Sequence, residues 1–193
     1  MMDETIQLGD WCAGAVMSED GKYRFKLWRR WEAQMGLICW IMLNPSTADH
    51  LQDDATIRRC INFSRRWGYG GIEVVNLFAY RATDPKMLLR VVGNVTGPRN
   101  DAWIKTTVES ATMTLAAWGS WGCLHGRSKQ LFPLLSQHHV MCLGKTITGE
   151  PKHPVRLTYN TQLEPYISKE ACCAALNRRI SHVESATDTR QGS

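Results

Sequence analysis

Three polar side chains, Asn44, Asn76 and His153, come at or just after apolar segments of strand length. The amide of Asn76 both donates and accepts hydrogen bonds, which matches the Watson–Crick edge of a pyrimidine. Asn44 is neutral, so it could orient a water molecule but cannot act as a strong base. The imidazole of His153 could act as an acid or stabilise negative charge on a leaving group. Because open α/β sheets bind ligands where their parallel strands end, we expect the three groups to share one cleft.

Each of these side chains also has a purely structural explanation, which the sequence leaves open. Asn44 precedes a proline, as turn asparagines often do, and Asn76 could satisfy backbone groups at a strand end. His153 lies between Lys152 and Pro154 in a predicted loop, where histidines are usually surface residues.

Carboxylate groups follow Asn44 closely and could supply the base that an amide cannot be. The candidates are Asp49, Asp53 and Asp54, of which we assign Asp54 to catalysis. Capping of the following helix is the competing role for these residues.

Aromatic and basic side chains predict contacts with a base and with phosphates. Phe78, Tyr80 and Trp118 could stack on a base. Arg58 and Arg65 belong to a set of arginines at helical spacing. Such a set usually indicates a helix face exposed to solvent, and the more specific interpretation is a face that binds phosphates. The phosphate contacts we predict are made by Arg58, Arg65, Arg127 and Lys152.

Apolar runs alternate with helical patterns, which predicts the elements that position these groups. The expected core strands are Leu37–Leu43, Ile72–Leu77, Met113–Trp118 and Val140–Leu143, with a short edge strand over His153–Leu157. The alternation favours an α/β fold, a three-layer α/β/α sandwich around a central, mainly parallel four-stranded sheet.

The composition is that of an ordinary globular protein and predicts one domain. The chain has 193 residues, of which 44% are hydrophobic and 21% charged. We expect one domain over residues 1–180, with a β-rich N-terminal segment over 1–36, and a polar, disordered tail over 181–193. The net charge of +5 is a mild bias toward polyanions.

Cysteine usage and the absence of long apolar segments predict a cytoplasmic protein. The seven cysteines are scattered without a C-x-x-C pair, so we expect reduced thiols and no zinc or iron–sulfur site. No segment approaches the length of a membrane span, and the N-terminus lacks the pattern of a secretory signal.

Four short motifs, in a fixed order, resemble those of the uracil-DNA glycosylase superfamily. They are LNPST, VVNLFAYRATDP, LAAWG and HPVRL. The resemblance implies a water-positioning role for Asn44, a base-reading role for Asn76, a role for His153 at the leaving base, and no metal or cofactor. Ser46 stands where relatives have glycine or a pocket-closing tyrosine, which implies that it borders a base pocket wide enough for an enlarged base. The segments IMLNPSTAD, RRWGYGG and NLFAYRATDP also resemble an uncharacterised bacterial and phage family.

The function that follows is hydrolysis of the N-glycosidic bond of a modified or damaged pyrimidine in DNA. A monofunctional DNA glycosylase would leave an abasic site, in repair or in defence against phages with modified DNA. The expected partner is DNA that contains a modified base, with no membrane involved, and a monomer is the expected state. Two alternatives stay open: a non-catalytic reader of modified DNA, and a hydrolase of free nucleosides or nucleotides.

Overall fold

The structure, a computed structural model, describes residues 1–8, 11–46 and 52–167. Its strands are β1 (Met2–Leu8), β2 (Trp11–Met17), β3 (Arg24–Arg30), β4 (Leu37–Met42), β5 (Gly71–Asn76), β6 (Met113–Ala116), β7 (Val140–Cys142) and β8 (Glu164–Ile167). Its α-helices are α1 (Ala55–Arg66), α2 (Asn100–Ser110) and α3 (Arg127–Leu135). Short 3₁₀ segments occupy Pro85–Leu89, Ser120–Gly126 and Pro154–Arg156.

The eight strands form one mixed sheet in the order β1-β2-β3-β5-β4-β6-β7-β8. Neighbouring strands among β5, β4, β6 and β7 are parallel, whereas β1, β2 and β3 and the edge strand β8 pair antiparallel. The predicted sandwich around a central four-stranded parallel sheet is therefore wrong. The apolar runs did mark four strands, but they did not show that the N-terminal strands extend the same sheet through the pairing of β3 with β5.

The edge strand predicted over His153–Leu157 is also wrong, because these residues begin a 3₁₀ helix. Pro154 occupies the first position of this helix, where the missing backbone N–H of a proline would have no partner in the helix. The His153 side chain caps the helix. The edge is formed instead by β8, which pairs with β7. The tail predicted over 181–193 lies outside the described residues.

Both faces of the sheet are covered where the strands are parallel, which explains their continuous apolar sequences. Trp40 of β4 packs in one buried cluster with Phe63 of α1. Ile41 packs on the opposite face with Ile104 of α2 and Leu131 of α3. In the part of the chain that the structure describes, no helix combines the length and apolar character needed to cross a membrane.

The parallel strands all end at the same edge of the sheet, and the segments that follow them stay in contact. The amide of Leu77 donates to the carbonyl of Met42 at 2.9 Å, and that of Ala117 donates to Ile41 at 2.9 Å. Beyond β6, the amide of Gly119 donates to Pro151 at 2.9 Å. These bonds bring the chain after β4, β5, β6 and β7 together at one edge.

Candidate functional site

A cleft of about 660 Å³ opens at this edge of the sheet. It brings together most of the side chains that the sequence singled out for catalysis and base binding. Those that line it are Asn44, Ser46, Asp54, Asn76, Trp118 and His153. The strand ends that carry Asn44 and Asn76 are neighbours, since Met42 pairs with Asn76 across β4 and β5.

Asn44 is half-buried, and its amide nitrogen is fixed by the loop that follows β5. Nδ2 donates to the carbonyl of Ala82 at 2.7 Å and to that of Pro45 at 3.1 Å. Both N–H groups are thereby used, which leaves the carbonyl oxygen as the group that Asn44 can offer to a ligand. An acceptor of this kind can hold and orient a water molecule.

Asn76 is only 1% exposed and ends β5 in the floor of the cleft. Its side-chain nitrogen Nδ2 is buried and has no hydrogen-bond partner among the described residues. Its backbone carbonyl accepts from Asn100 Nδ2 at 2.9 Å, so the strand end is held in place without the Asn76 side chain. A buried donor without a partner costs about 1–3 kcal/mol. Asn76 thus lines the cleft and carries a buried donor that no described group satisfies.

His153 is half-buried in the cleft wall, and its ring orientation is fixed from one side. The backbone N–H of Val155 donates to its Nδ1 at 3.3 Å, so in the neutral ring the proton lies on Nε2. Burial lowers the pKa of His153 below its ordinary value of 6.5, and the carboxylate of Asp54 opposes this shift. A neutral imidazole with a free Nε2–H donor suits stabilisation of negative charge.

The pKa of His153 gives a pH-dependent prediction. Since the folded state disfavours the imidazolium, the unfolded chain binds the proton first as the pH falls, so His153 reduces stability from about pH 6.5 down through its lowered native pKa. A titration of the imidazole signals by NMR should show a midpoint below 6.5 that returns toward 6.5 in unfolding conditions. A native midpoint above 6.5 would contradict this arrangement.

Asp54 has the capping role that the sequence left open as an alternative. Its Oδ1 accepts from the amide of Ile57 at 2.8 Å and begins α1. The residue still lines the cleft, and its charge is felt by His153. One carboxylate oxygen serves the helix, so the second is the one available to a water molecule in the cleft.

Trp118 forms a wall of the cleft and is held by a carboxylate that the sequence analysis missed. The indole Nε1–H donates to Oε2 of Glu150, and the Ser128 hydroxyl donates to Oε1 at 2.8 Å. Glu150 is 8% exposed. Tyr166 packs edge-on against the indole, with ring centroids 5.3 Å apart. A side chain at Gly122 would collide with Trp118 and Glu150, so the ring position is fixed on several sides.

Two of the other predicted base-binding residues lie elsewhere. Phe78 is fully buried in the core and does not line the cleft, so its predicted stacking on a base is wrong. Tyr80 packs edge-on against Tyr23 and lines a neighbouring pocket. Ser46 lines both the cleft and that pocket. The chain turns after Asn76, so residues beyond it do not continue the alternation of the strand.

The residues predicted to contact phosphates do not line the cleft. Arg58 is exposed and donates to the backbone of Asp53. The Arg65 guanidinium lies over the Trp31 ring, 4.9 Å from its centroid. Lys152 is exposed in the segment that carries His153.

The prediction that Arg127 contacts a phosphate is wrong, because this side chain is 3% exposed. Its Nε donates to the carbonyl of Leu77 at 2.8 Å, and its terminal nitrogens pair with Asp101. Sequence gave no sign of this role, since Asp101 becomes its neighbour only when α2 and α3 pack together.

Replacing Arg127 with methionine should therefore lower the stability of the protein. Loss of a buried guanidinium that bridges a carbonyl and a carboxylate should reduce the free energy of unfolding by about 3 kcal/mol. Urea unfolding measures this, with the exposed Arg90→Met as the matched control. An Arg127→Met variant as stable as the wild-type protein would contradict this structural role.

Among the further residues that line the cleft and were not assigned to the site are Arg24, Trp121 and Arg156. Arg24 of β3 is 2% exposed. Trp121 is 36% exposed at the cleft. The cleft therefore combines a buried guanidinium, an accessible indole and the groups described above.

Comparison with known proteins gives a family and no activity. No curated protein and no solved structure matches the chain significantly. One family model matches residues 24–155, which include both asparagines, the histidine and the strands that carry them. Since this match covers more than half of the sequence, the chain belongs to the family described as "Protein of unknown function (DUF1643)".

Proposed function

We propose that this protein is a monofunctional DNA glycosylase that removes a modified or damaged pyrimidine. The observation that carries the proposal is the buried amide of Asn76, which faces the cleft with its Nδ2 unpartnered among the described residues. A pyrimidine carries acceptors that can bind such a donor, and the accessible indole of Trp121 offers a surface for its ring. The resemblance of the motif order to the uracil-DNA glycosylase superfamily supports the same assignment.

The chemistry requires a nucleophilic water molecule, a broken C1′–N bond and a stabilised leaving base. The carbonyl oxygen of Asn44 would hold the water, and the second oxygen of Asp54 is the candidate to accept its proton. Departure of the base leaves oxocarbenium-like character on the sugar, to which the water oxygen adds. The Nε2–H of His153 would stabilise the negative charge that builds on the departing base. The free base and an abasic sugar are the products.

The size of the cleft supports a base larger than an ordinary pyrimidine. Its volume of about 660 Å³ lies well inside the range of about 300–1,000 Å³ for small-molecule sites. Ser46 presents a small side chain at its rim, where the resemblance to glycosylases implies a glycine or tyrosine.

The five described cysteines are free thiols, which supports action in the cytoplasm.

The direct test is incubation of the purified protein with a panel of DNAs, followed by alkali cleavage at abasic sites. The panel contains uracil, hydroxymethyluracil, hydroxymethylcytosine, glucosylated phage DNA and plain DNA. Wild-type protein should cut one substrate, and Asn44→Ala should lower the rate at least about 100-fold, the scale of losing one positioned polar group. The exposed Asn160→Ala is the matched control and should retain the rate. Strand breaks that persist in Asn44→Ala would refute the assignment of the water.

A non-catalytic reader of modified DNA is the second candidate. The observation that favours it is that no candidate at the described part of the cleft is a fully available base, since Asn44 is neutral and Asp54 caps α1. A further carboxylate candidate, Asp49, lies outside the described residues. A reader would bind one DNA of the panel tightly, release no base, and retain its affinity in Asn44→Ala. Base release by the wild-type protein would exclude it.

A further inference from the structure

A second pocket of about 370 Å³ adjoins the cleft. Both the cleft and this second pocket are lined by Ser46, Ala82 and Thr83. The second pocket is also lined by Lys22 and Arg81, so it adds positive charge next to the cleft. The two pockets are therefore adjacent, with a shared border at Ser46, Ala82 and Thr83.

Arg81 supplies the net positive charge of this second pocket. Its guanidinium is half-buried and donates from Nη1 to the carbonyl of Gly21 at 3.1 Å, while its Nε is buried and has no hydrogen-bond partner among the described residues. In the described ranges, Arg81 makes no ion pair with a carboxylate. Lys22, by contrast, pairs with Asp20 at 3.0 Å.

The charge of Asp20 limits what Lys22 can contribute. Hydrogen bonds from Ser18 and Lys22 lower the pKa of Asp20 to about 2, so this carboxylate stays ionised and offsets the ammonium group. The pocket therefore carries one net positive charge, and that charge resides on a guanidinium. Arginine offers a planar fork of donors that matches a phosphate better than a carboxylate-paired lysine does.

The backbone around Arg81 connects this pocket to the catalytic side of the cleft. The amide of Arg81 donates to Lys22 at 2.9 Å, and the amide of Ala82 donates to Pro45 at 2.8 Å. The carbonyl of Ala82 is the group that fixes Asn44, at 2.7 Å. A ligand group held by Arg81 would thus be one residue from the contact that orients Asn44.

We propose that this pocket binds a phosphate group attached to the nucleotide whose base occupies the cleft, with Arg81 as its principal ligand. The inference rests on the proposed function and replaces the phosphate contacts that the sequence predicted on α1. The phosphate could belong to a DNA backbone or to a free nucleotide, because the chemistry that Arg81 recognises is the same.

The test compares Arg81→Gln with Arg90→Gln, which removes the same charge from an exposed position. Three probes are measured at several salt concentrations. A fluorescein-labelled single-stranded oligonucleotide reports binding directly, and a nucleoside 5′-monophosphate and inorganic phosphate report binding by the rise in Tm. Arg81→Gln should weaken oligonucleotide binding about tenfold and reduce the salt slope by about 0.7, the value for one phosphate contact on a single strand. Arg81→Lys should recover most of the salt slope, and unchanged circular dichroism shows that each variant is folded.

The outcomes separate this inference from the proposed function. If Arg81→Gln and Arg90→Gln bind every probe alike, the phosphate site is refuted, while base excision by the wild-type protein is untouched. If the wild-type protein ignores the oligonucleotide but gains Tm with the monophosphate through Arg81, the site stands and the DNA substrate is wrong. Absence of binding to all three probes refutes the phosphate site, while the proposed excision is decided separately by the DNA panel.

Discussion

Replacing Asn76 with leucine is expected to make the protein more stable and to abolish the proposed glycosylase activity. The substitution keeps the number of side-chain heavy atoms and their branching at Cγ, and it removes a buried Nδ2 that has no partner among the described residues. The free energy of unfolding should rise by about 1 kcal/mol, since an unsatisfied buried donor costs about 1–3 kcal/mol. Base excision should fall at least about 100-fold, because a site built around a hydrogen bond discriminates strongly when that bond is lost.

Asn100 is the matched control for this prediction. It is also 1% exposed, but its Nδ2 donates to the carbonyls of Asn76 and Leu77, at 2.9 and 3.1 Å. Asn100→Leu should therefore lower the free energy of unfolding by about 2 kcal/mol, because it orphans strand-end carbonyls. Urea unfolding of both variants measures the difference in sign. If Asn76→Leu lowers the free energy of unfolding as much as Asn100→Leu does, the amide of Asn76 serves to stabilise the fold.

Removal of the Glu150 carboxylate is expected to cost both stability and activity, although Glu150 does not line the cleft. Glu150→Ala leaves the indole N–H of Trp118 and the hydroxyl of Ser128 without their acceptor and opens a void beneath the ring. The free energy of unfolding should fall by about 3 kcal/mol. Excision should fall about tenfold, mainly through weaker substrate binding, because a mobile Trp118 no longer presents a fixed wall.

Glu150→Gln separates the hydrogen bonds of Glu150 from its charge. Its amide oxygen can accept from Trp118, while its nitrogen can donate to the Ser128 hydroxyl, which can rotate to accept. We therefore expect this variant to recover most of the activity and the wild-type tryptophan emission spectrum. Glu164→Ala, at an exposed glutamate, controls for the loss of a carboxylate. Equal loss in the alanine and glutamine variants would mean that the charge itself is required.

The segments that end in Asn44 and Asn76 could be predicted because their apolar runs are long and continuous. Strands buried on both faces leave this pattern, and parallel strands must end at one edge of the sheet. The same reasoning placed His153 near that edge. It could not show that the N-terminal strands complete the sheet, because the partner of an edge strand is chosen by long-range packing.

The side chains that the sequence misplaced are those whose role depends on a distant neighbour. Phe78 has an aromatic side chain of the kind that stacks on bases, but the chain turns after β5 and buries it. Arg127 looks like a phosphate contact until Asp101 is brought beside it. Glu150 has no local pattern that links it to Trp118, which is distant in the sequence. Contacts of this kind come from tertiary structure and leave no periodic signal.

The most direct measurement of the central claim is mass spectrometry of the free bases released from the DNA panel. The wild-type protein should release one modified pyrimidine, in amounts equal to the abasic sites formed. Release should disappear in Asn44→Ala and Asn76→Leu and continue in Asn160→Ala. Tight binding of a modified DNA without release of any base would contradict the account and identify the protein as a reader.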